Sequence, residues 1–339
     1  MTRRLLAVAP VDHPGGAEIH LLRLLEGLSS RGWEIALTTP GPGPLRDEAA
    51  RAGYAWHALP LGGLARGAGA RSLASWPRAR RLAAATDVVY LNGAVCGRLL
   101  PALPPGPARR VLHLHDLVRR VPRFWRRADT VLADSQAVAE RVPGLGAEVV
   151  YGPVDPQPAA AAPLWPTGNG PVIGFVGRIE PRKGPLDLVR AAPAIRRAVP
   201  GARVVIVGDD PYDSDPAYTR AVIGSPEIEH HPWTDNAPGL MRHLDVLVLP
   251  SYDEPFGTVL AEAMAVGTPV VATCVGGLAE VVDDGVSGRL VAPGDPGRLA
   301  EAVLDVLAHR PEMGAAAQRS AARFFVSDYV DRVERLIAP

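Results

Sequence analysis

Two carboxylates, Glu254 and Glu262, bracket a glycine in the stretch SYDEPFGTVLAEAMAVGTPVVAT. The apolar run Val246–Pro250 before it reads as a buried strand, so the stretch lies at that strand's carboxyl end. Gly257 permits a tight turn and Thr258 opens a helix. The free N–H groups of that first turn, with the positive end of the helix dipole, suit an anion such as a phosphate. Glu262, four residues after Thr258, shares its face one turn in. A carboxylate beside a phosphate repels it, so each must face something else. Sugar hydroxyls suit both, because an ionised carboxylate accepts two at once. The plainer alternative is a solvated helix residue at 262 and a loop charge at 254.

Arg178 and Lys183 follow another apolar run, Val172–Val176. Lys183 is the single lysine among 36 basic residues. Breaking a sugar–phosphate bond leaves a nucleoside diphosphate with extra negative charge, and without a metal something cationic must hold it. Arginine offers a planar fork for two phosphate oxygens and lysine a point charge. The alternative is a surface Arg/Lys turn. His115 ends the run Arg110–Leu114 and precedes Asp116; His113 shares its face two residues earlier. Gly15-Gly16, between the first run and a helix near Ala17, is a weak phosphate-approach loop. No G-x-G-x-x-G occurs, which argues against a dinucleotide-binding dehydrogenase. Asp213-Ser214-Asp215 spells D-x-D, a metal motif elsewhere, but lies in a Pro-rich loop and reads as polar surface.

These residues need a scaffold. Apolar runs alternate with helical patterns: Leu5–Ala9, Glu34–Thr38, Asp87–Leu91, Arg110–Leu114, Thr130–Ala133 and Glu148–Tyr151, then Val172–Val176, Ala202–Val207, Ile228–His231, Val246–Pro250, Pro269–Thr273 and Gly288–Val291. This pattern predicts α/β architecture with parallel sheets and right-handed crossovers. With 339 residues, 47% hydrophobic, the chain suits two domains. The Pro/Ala/Gly-rich stretch Pro153–Pro171 is the best linker, with little to pack. Two Rossmann-like domains facing each other across a cleft are expected, 1–160 and 166–320. Ligands of such sheets bind beyond the strands' carboxyl ends.

Net charge is zero, but residues 1–165 carry 20 basic and 13 acidic side chains against 16 and 23 in the rest. The asymmetry fits domains with different partners, halves that attract, or chance. Arginine dominance with 35 Gly and 35 Pro looks like a GC-rich genome, so nucleic acid is not an expected partner. Cys96 and Cys274 form no metal or redox motif. No stretch approaches a membrane span and the N-terminal apolar run is too short for a signal peptide. A cytoplasmic protein is expected, peripheral on the inner membrane face if VRRVPRFWRRAD is an amphipathic surface helix. The plainer reading of that segment is a solvated Arg face with Phe124 and Trp125 packed inward.

The segment E-P-F-G-x₄-E resembles the signature of GT-B-fold retaining glycosyltransferases of family four (glycosyl transferases group 1). GFVGRIEPRKG, VVIVGD, LDVLVLPS and GTPVVATCVGGLAEVVDDGVSGRLVAPGD are similar to that family's segments and follow in its order. PGGAE, LHLHD, VLADS and YGPVD match more weakly, Tyr151 replacing the usual Asn. The resemblance implies a nucleotide-sugar donor, UDP- or GDP-linked, on the second domain and an acceptor on the first. It implies a final helix, 321–339, crossing back to the first domain. The acceptor could be a glycan, a lipid-linked sugar or a small natural product, chosen by loops around Leu61–Trp76 and Val118–Arg127. By resemblance Arg178 and Lys183 contact the diphosphate, Glu254 the donor sugar and Glu262 the ribose. His115 lies near the reactive carbon. Gly16, Phe256, Gly257, Thr258 and Val259 belong to the donor site, while Asp134-Ser135 and Gly152–Asp155 line the cleft. Neither cofactor nor metal is expected. A nucleotide-sugar epimerase, a phosphorylase or a silent nucleotide-sugar-binding protein are the alternatives.

Overall fold

A computed structural model of the protein describes residues 2–62, 72–166, 168 and 170–338. Of the loop expected around Leu61–Trp76, residues 63–71 lie outside the described residues. The chain forms two compact units, residues 1–153 with 326–339, and residues 154–325.

The first unit is built on a seven-stranded sheet, with every described pairing parallel. Its strands are β1 (Arg4–Val8), β2 (Glu34–Thr39), β3 (Ala55–Ala58), β4 (Val88–Asn92), β5 (Arg109–Leu114), β6 (Thr130–Ala133) and β7 (Glu148–Val149), in the order β3-β2-β1-β4-β5-β6-β7. β3 had no counterpart among the predicted runs. It is an edge strand of sequence AWHA, half-exposed along most of its length, so it needs no continuous apolar stretch. Helices α1 (Gly16–Ser30), α2 (Pro44–Arg51), α3 (Ser72–Ala83) and α4 (Gln136–Glu140) connect the strands.

The second unit holds a six-stranded sheet in the order β10-β9-β8-β11-β12-β13. Its strands are β8 (Val172–Val176), β9 (Arg203–Val207), β10 (Glu229–His231), β11 (Val246–Leu249), β12 (Val270–Thr273) and β13 (Gly288–Val291). β8, β11 and β12 are buried along their whole length, as strands covered by helices on both faces must be. The helices are α5 (Pro185–Ala198), α6 (Pro216–Ile223), α7 (Ala237–Met241), α8 (Thr258–Ala265), α9 (Leu278–Val281), α10 (Pro296–Ala308) and α11 (Arg310–Ala321).

The boundary read at residue 160 falls instead after Pro153, because the supposed linker packs. The carbonyls of Pro158, Ala159 and Ala161 accept hydrogen bonds from Arg242, Asn236 and His243 around α7. Trp165 is 4% exposed and its ring lies 5.9 Å from that of His231.

The last helix, α12 (Val326–Ile337), belongs to the first unit. Its apolar face (Tyr329, Val330, Val333, Ile337) joins the core made by α1 and β1. Gly27 of α1 lets Val330 in: a Cβ there would stand 2.6 Å from Val330 Cγ2. Glu334 fixes the helix, accepting from Trp33 Nε1 at 2.9 Å and Arg31 at 2.7 Å. The segment VRRVPRFWRRAD holds one 3-10 turn, Arg123–Arg127, with Trp125 buried and Phe124 packed on the core. No helix among the described residues is long and apolar enough to cross a membrane.

Candidate functional site

In the second unit the loops after β8 and β11, neighbours in the sheet, are sewn together. Tyr252 N donates to Arg182 O at 2.8 Å, and Arg182 Nη1 donates to Asp253 O at 2.8 Å. Gly184 makes the approach feasible: its φ is +68°, and a Cβ there would collide with the Pro250 carbonyl. The result is that Lys183 Nζ donates to Glu254 Oε2 at 2.5 Å, with the side chains 15% and 8% exposed. Ser251 Oγ stands 3.4 Å from the same oxygen and Arg182 3.9 Å from it. Gly277 N donates to Glu254 O at 2.9 Å, and Gly276 and Gly277 sit so tightly on residues 254–256 that neither has room for a Cβ. The Gly-Gly turn after β12 therefore clamps the loop carrying Glu254.

Gly257 caps α8 in the left-handed conformation, φ +91°, which glycine adopts without a Cβ penalty. Thr258, Val259 and Glu262 are half-buried on the helix it starts. Phe256 is 2% exposed and packs edge-on against Phe324, ring centroids 5.4 Å apart. Its side chain is core, so a ligand at that position meets only backbone. Arg178 is 43% exposed and lies 3.3 Å from Glu180, its guanidinium 5.7 Å from the Tyr212 ring centroid. The D-x-D segment is engaged as a loop: Asp215 caps α6, accepting from Tyr218 N at 3.0 Å, and Ser214 bonds Asp210.

The first unit gathers a buried polar cluster at the carboxyl ends of β4, β5 and β6. His115 Nδ1 meets Asp134 Oδ2 at 2.7 Å and its Nε2 meets Asn92 Oδ1 at 2.8 Å. Asn92 Nδ2 donates to Ala17 O at 3.3 Å, so its oxygen faces the ring. His113 Nδ1 pairs with the Tyr90 hydroxyl at 2.5 Å. His113 Nε2 lies 2.8 Å from Asp134 Oδ1 in an oblique ion-pair contact. From α1 come His20, whose Nδ1 is 3.8 Å from Asp134, and Glu18, which accepts from Gly15 N at 3.2 Å. Gly16 is exposed, and a Cβ there would touch nothing within 4 Å. Ser135 caps α4.

Burial opposes charge on all three histidines, and only one overcomes it. His20 is pushed down to about 3 and His113 to about 4, chiefly by burial. For His115 burial is outweighed by the Asp134 carboxylate and by Glu18, so its pKa rises above the ordinary imidazole value. Burial alone would raise Asp134, but His115 and His113 hold it well below the usual carboxylate range. His20, His115 and Asp134 bring one ligand atom each within 4.8 Å of one another, the spacing of a metal group. As the side chains stand, Asp134 and His115 spend those atoms on each other.

Of the residues named from the sequence, His115 and Asp134 lie in the first unit's polar cluster, and Arg178, Lys183, Glu254 and Glu262 lie on the loops after β8 and β11 and on α8 of the second. Tyr90, Asn92, His20 and Glu18 were missed, as were Arg182 and the Gly276-Gly277 clamp. Tyr90 and Asn92 alternate on one face of β4, which is the signal that was available.

Residues 170–309 match the family described as Glycosyl transferases group 1, and residues 14–158 match Glycosyltransferase Family 4. The 2-deoxystreptamine glucosyltransferase of Streptomyces kanamyceticus is 35% identical over 262 residues, 70% of this chain and 65% of that protein. A D-inositol 3-phosphate glycosyltransferase of Mycolicibacterium vanbaalenii is 39% identical over 191 residues, 51% of this chain and 42% of that one. The chain thus spans 65% or less of the length of these curated relatives. Among solved structures, Anabaena HepE in complex with UDP and glucose superposes with a TM-score of 0.80 at 22% identity, covering 98% of each chain. A glycosyltransferase from Rickettsia africae gives 0.84 at 18% identity, covering 99% of this chain and 98% of its own. The fold is GT-B, and with both halves matched the chain belongs to the group 1, family-four glycosyltransferases.

Proposed function

We propose that the protein transfers a sugar from a nucleoside diphosphate sugar to an acceptor hydroxyl, with retention at the anomeric carbon and without a metal ion. The observation that carries this reading is the Lys183–Glu254 contact beside the glycine-led start of α8. An arriving diphosphate takes Lys183 and the backbone at the glycine-led start of α8, and Arg178, 43% exposed and 3.3 Å from Glu180, adds its fork. Glu254 then loses its partner and accepts two hydroxyls of the donor sugar, while Glu262 accepts from the ribose. His115 keeps the role that the resemblance implies for it, near the reactive carbon. The sugar–phosphate bond breaks as the acceptor oxygen bonds the same face of the anomeric carbon. The departing phosphate oxygen takes the acceptor's proton, so no protein nucleophile is required. Uridine is the base to test first, because HepE is seen with UDP, with UDP-glucose, and with UDP and glucose.

A thermal-shift series with UDP, GDP, ADP, dTDP and their sugars tests the donor, since a ligand stabilises by RT ln(1 + [L]/Kd). One nucleotide is expected to stand out, and transfer with its sugar is expected to persist in EDTA and to yield the donor's anomeric configuration. Loss of turnover in EDTA, or near-wild-type turnover by Lys183→Ala or Glu254→Ala, would overturn the reading.

A further inference from the structure

The three buried histidines of the first unit share one carboxylate unequally. Asp134, ionised, only accepts, so His115 Nδ1 must carry a proton to bond it at 2.7 Å. Asn92 turns its oxygen to the same ring, because its amide nitrogen is committed to the Ala17 carbonyl. His115 Nε2 must therefore carry a proton too. A ring that donates from both nitrogens is an imidazolium. His113 is different: its Nδ1 faces the Tyr90 hydroxyl, which can donate or accept, and its contact with Asp134 is oblique. A single ring proton satisfies it, and the ring stays neutral.

The groups facing His115 are Asn92 from β4, His113 from β5, Asp134 after β6, Glu18 and His20 from α1, and Asp116 on its own loop. The carboxylates favour the cation and the histidines oppose it. Asp134 alone among the acids is in hydrogen-bond contact with the ring. The cation is held at the strands' carboxyl ends, where sheets of this kind take their ligands.

We propose that Asp134 is a positioning residue: with Asn92 on the opposite side it holds His115 as a fixed imidazolium, and sugar transfer uses that cation. This rests on the transferase reading for its second clause only. Titration of the ring is therefore followed in the free protein, apart from activity.

The test is NMR titration of the histidine C2–H signals, His115 being assigned by its loss in His115→Gln, together with kcat against pH at saturating donor. In the wild type His115 is expected to titrate above the ordinary imidazole value. Asp134→Asn, which keeps the shape and removes the charge, is expected to drop it below that value. Above both values each unit of the drop costs about tenfold in the protonated fraction. The kcat of Asp134→Asn should therefore fall about tenfold or more at pH 8 and recover toward acid, with donor KM little changed. Asp134→Asn/Asn92→Asp returns a carboxylate to the other ring nitrogen and is expected to restore much of the profile. Circular dichroism checks that the variants fold. A wild-type His115 that titrates at or below the ordinary value overturns the proposal, even if Asp134→Asn fails to fold. So does a pH profile of Asp134→Asn that runs parallel to the wild type. Absence of any sugar transfer sinks the proposed function and leaves the titration to decide the first clause.

Discussion

Lys183 and Glu254 lie 71 residues apart in sequence, yet their side chains meet at 2.5 Å with little water around them. Lys183→Met keeps the apolar stem and deletes the charge. Glu254 is then left with Arg182 at 3.9 Å and Ser251 at 3.4 Å. Thermal unfolding should show a loss of roughly 2 kcal/mol, the penalty for stripping a charged group of its buried partner. Turnover should fall about 10²–10³-fold, as when one donor to a developing oxyanion is removed. Adding Glu254→Gln should return most of the stability and none of the turnover. If that double variant regains transfer, the lysine is structural.

His20 and His113 make the fold acid-sensitive. Their folded pKa values, about 3 and about 4, lie below the unfolded value of about 6.5. Between those limits the unfolded chain binds more protons than the folded one, so stability is full above pH 6.5 and declines as pH falls. Unfolding free energies across pH 7 to 4 should decline by an amount on the order of a few kcal/mol, with a matching fall in melting temperature. The decline should be shallower in His113→Gln. His115 has the opposite sign: its contribution is present below the unfolded value and fades as pH rises through its raised folded pKa. A melting temperature flat between pH 6.5 and 4 would exclude neutral buried histidines.

Much of the fold was readable in the residues, and what was not readable has two causes. Val172–Val176 announces itself as a continuous apolar run and forms a strand over those same residues. Gly257 before Thr258 marks the helix start, because only glycine sits comfortably at φ +91°. Pairings across the sheet are another matter. Nothing local places Asn92 beside His115: that depends on β4 lying next to β5 in a register that sets Asn92 opposite His113. The Lys183–Glu254 contact likewise requires β8 to neighbour β11. Trp165 was hidden by composition, since the Pro and Ala around it suggest slack chain, whereas one buried aromatic is enough to tie the segment down.

Two glycines separate a folding requirement from a ligand requirement. At Gly257 a Cβ would strike Leu278, and the backbone is left-handed. Gly257→Ala should cost roughly 1–3 kcal/mol of stability and weaken nucleotide affinity. At Gly16 a Cβ meets nothing within 4 Å. Gly16→Ala should leave stability within about 0.5 kcal/mol, so any loss of transfer there reports on the substrate. A large fall in melting temperature for Gly16→Ala would contradict this open environment.

The seat of α12 is equally open to test. Gly27→Ala forces a methyl into Val330, whose Cγ atoms would stand 2.6 and 2.9 Å away. Overpacking of this kind costs about 1–3 kcal/mol, against the gain a helix normally takes from alanine. Val330→Ala should cost less in the Gly27→Ala background than in the wild type. Additive losses in that double-mutant cycle would show that the two helices do not press on each other here.

The placement of α12 also orders events during synthesis. The first unit's core includes Tyr329, Val330, Val333 and Ile337, which leave the ribosome only after all of residues 154–325. At about 5–20 residues per second, the groove on α1 stays uncovered for roughly 10–30 s while the second unit, contiguous in the chain, can close by itself. The half that is begun first is thus finished last, and for that interval its apolar stripe is a client surface for chaperones.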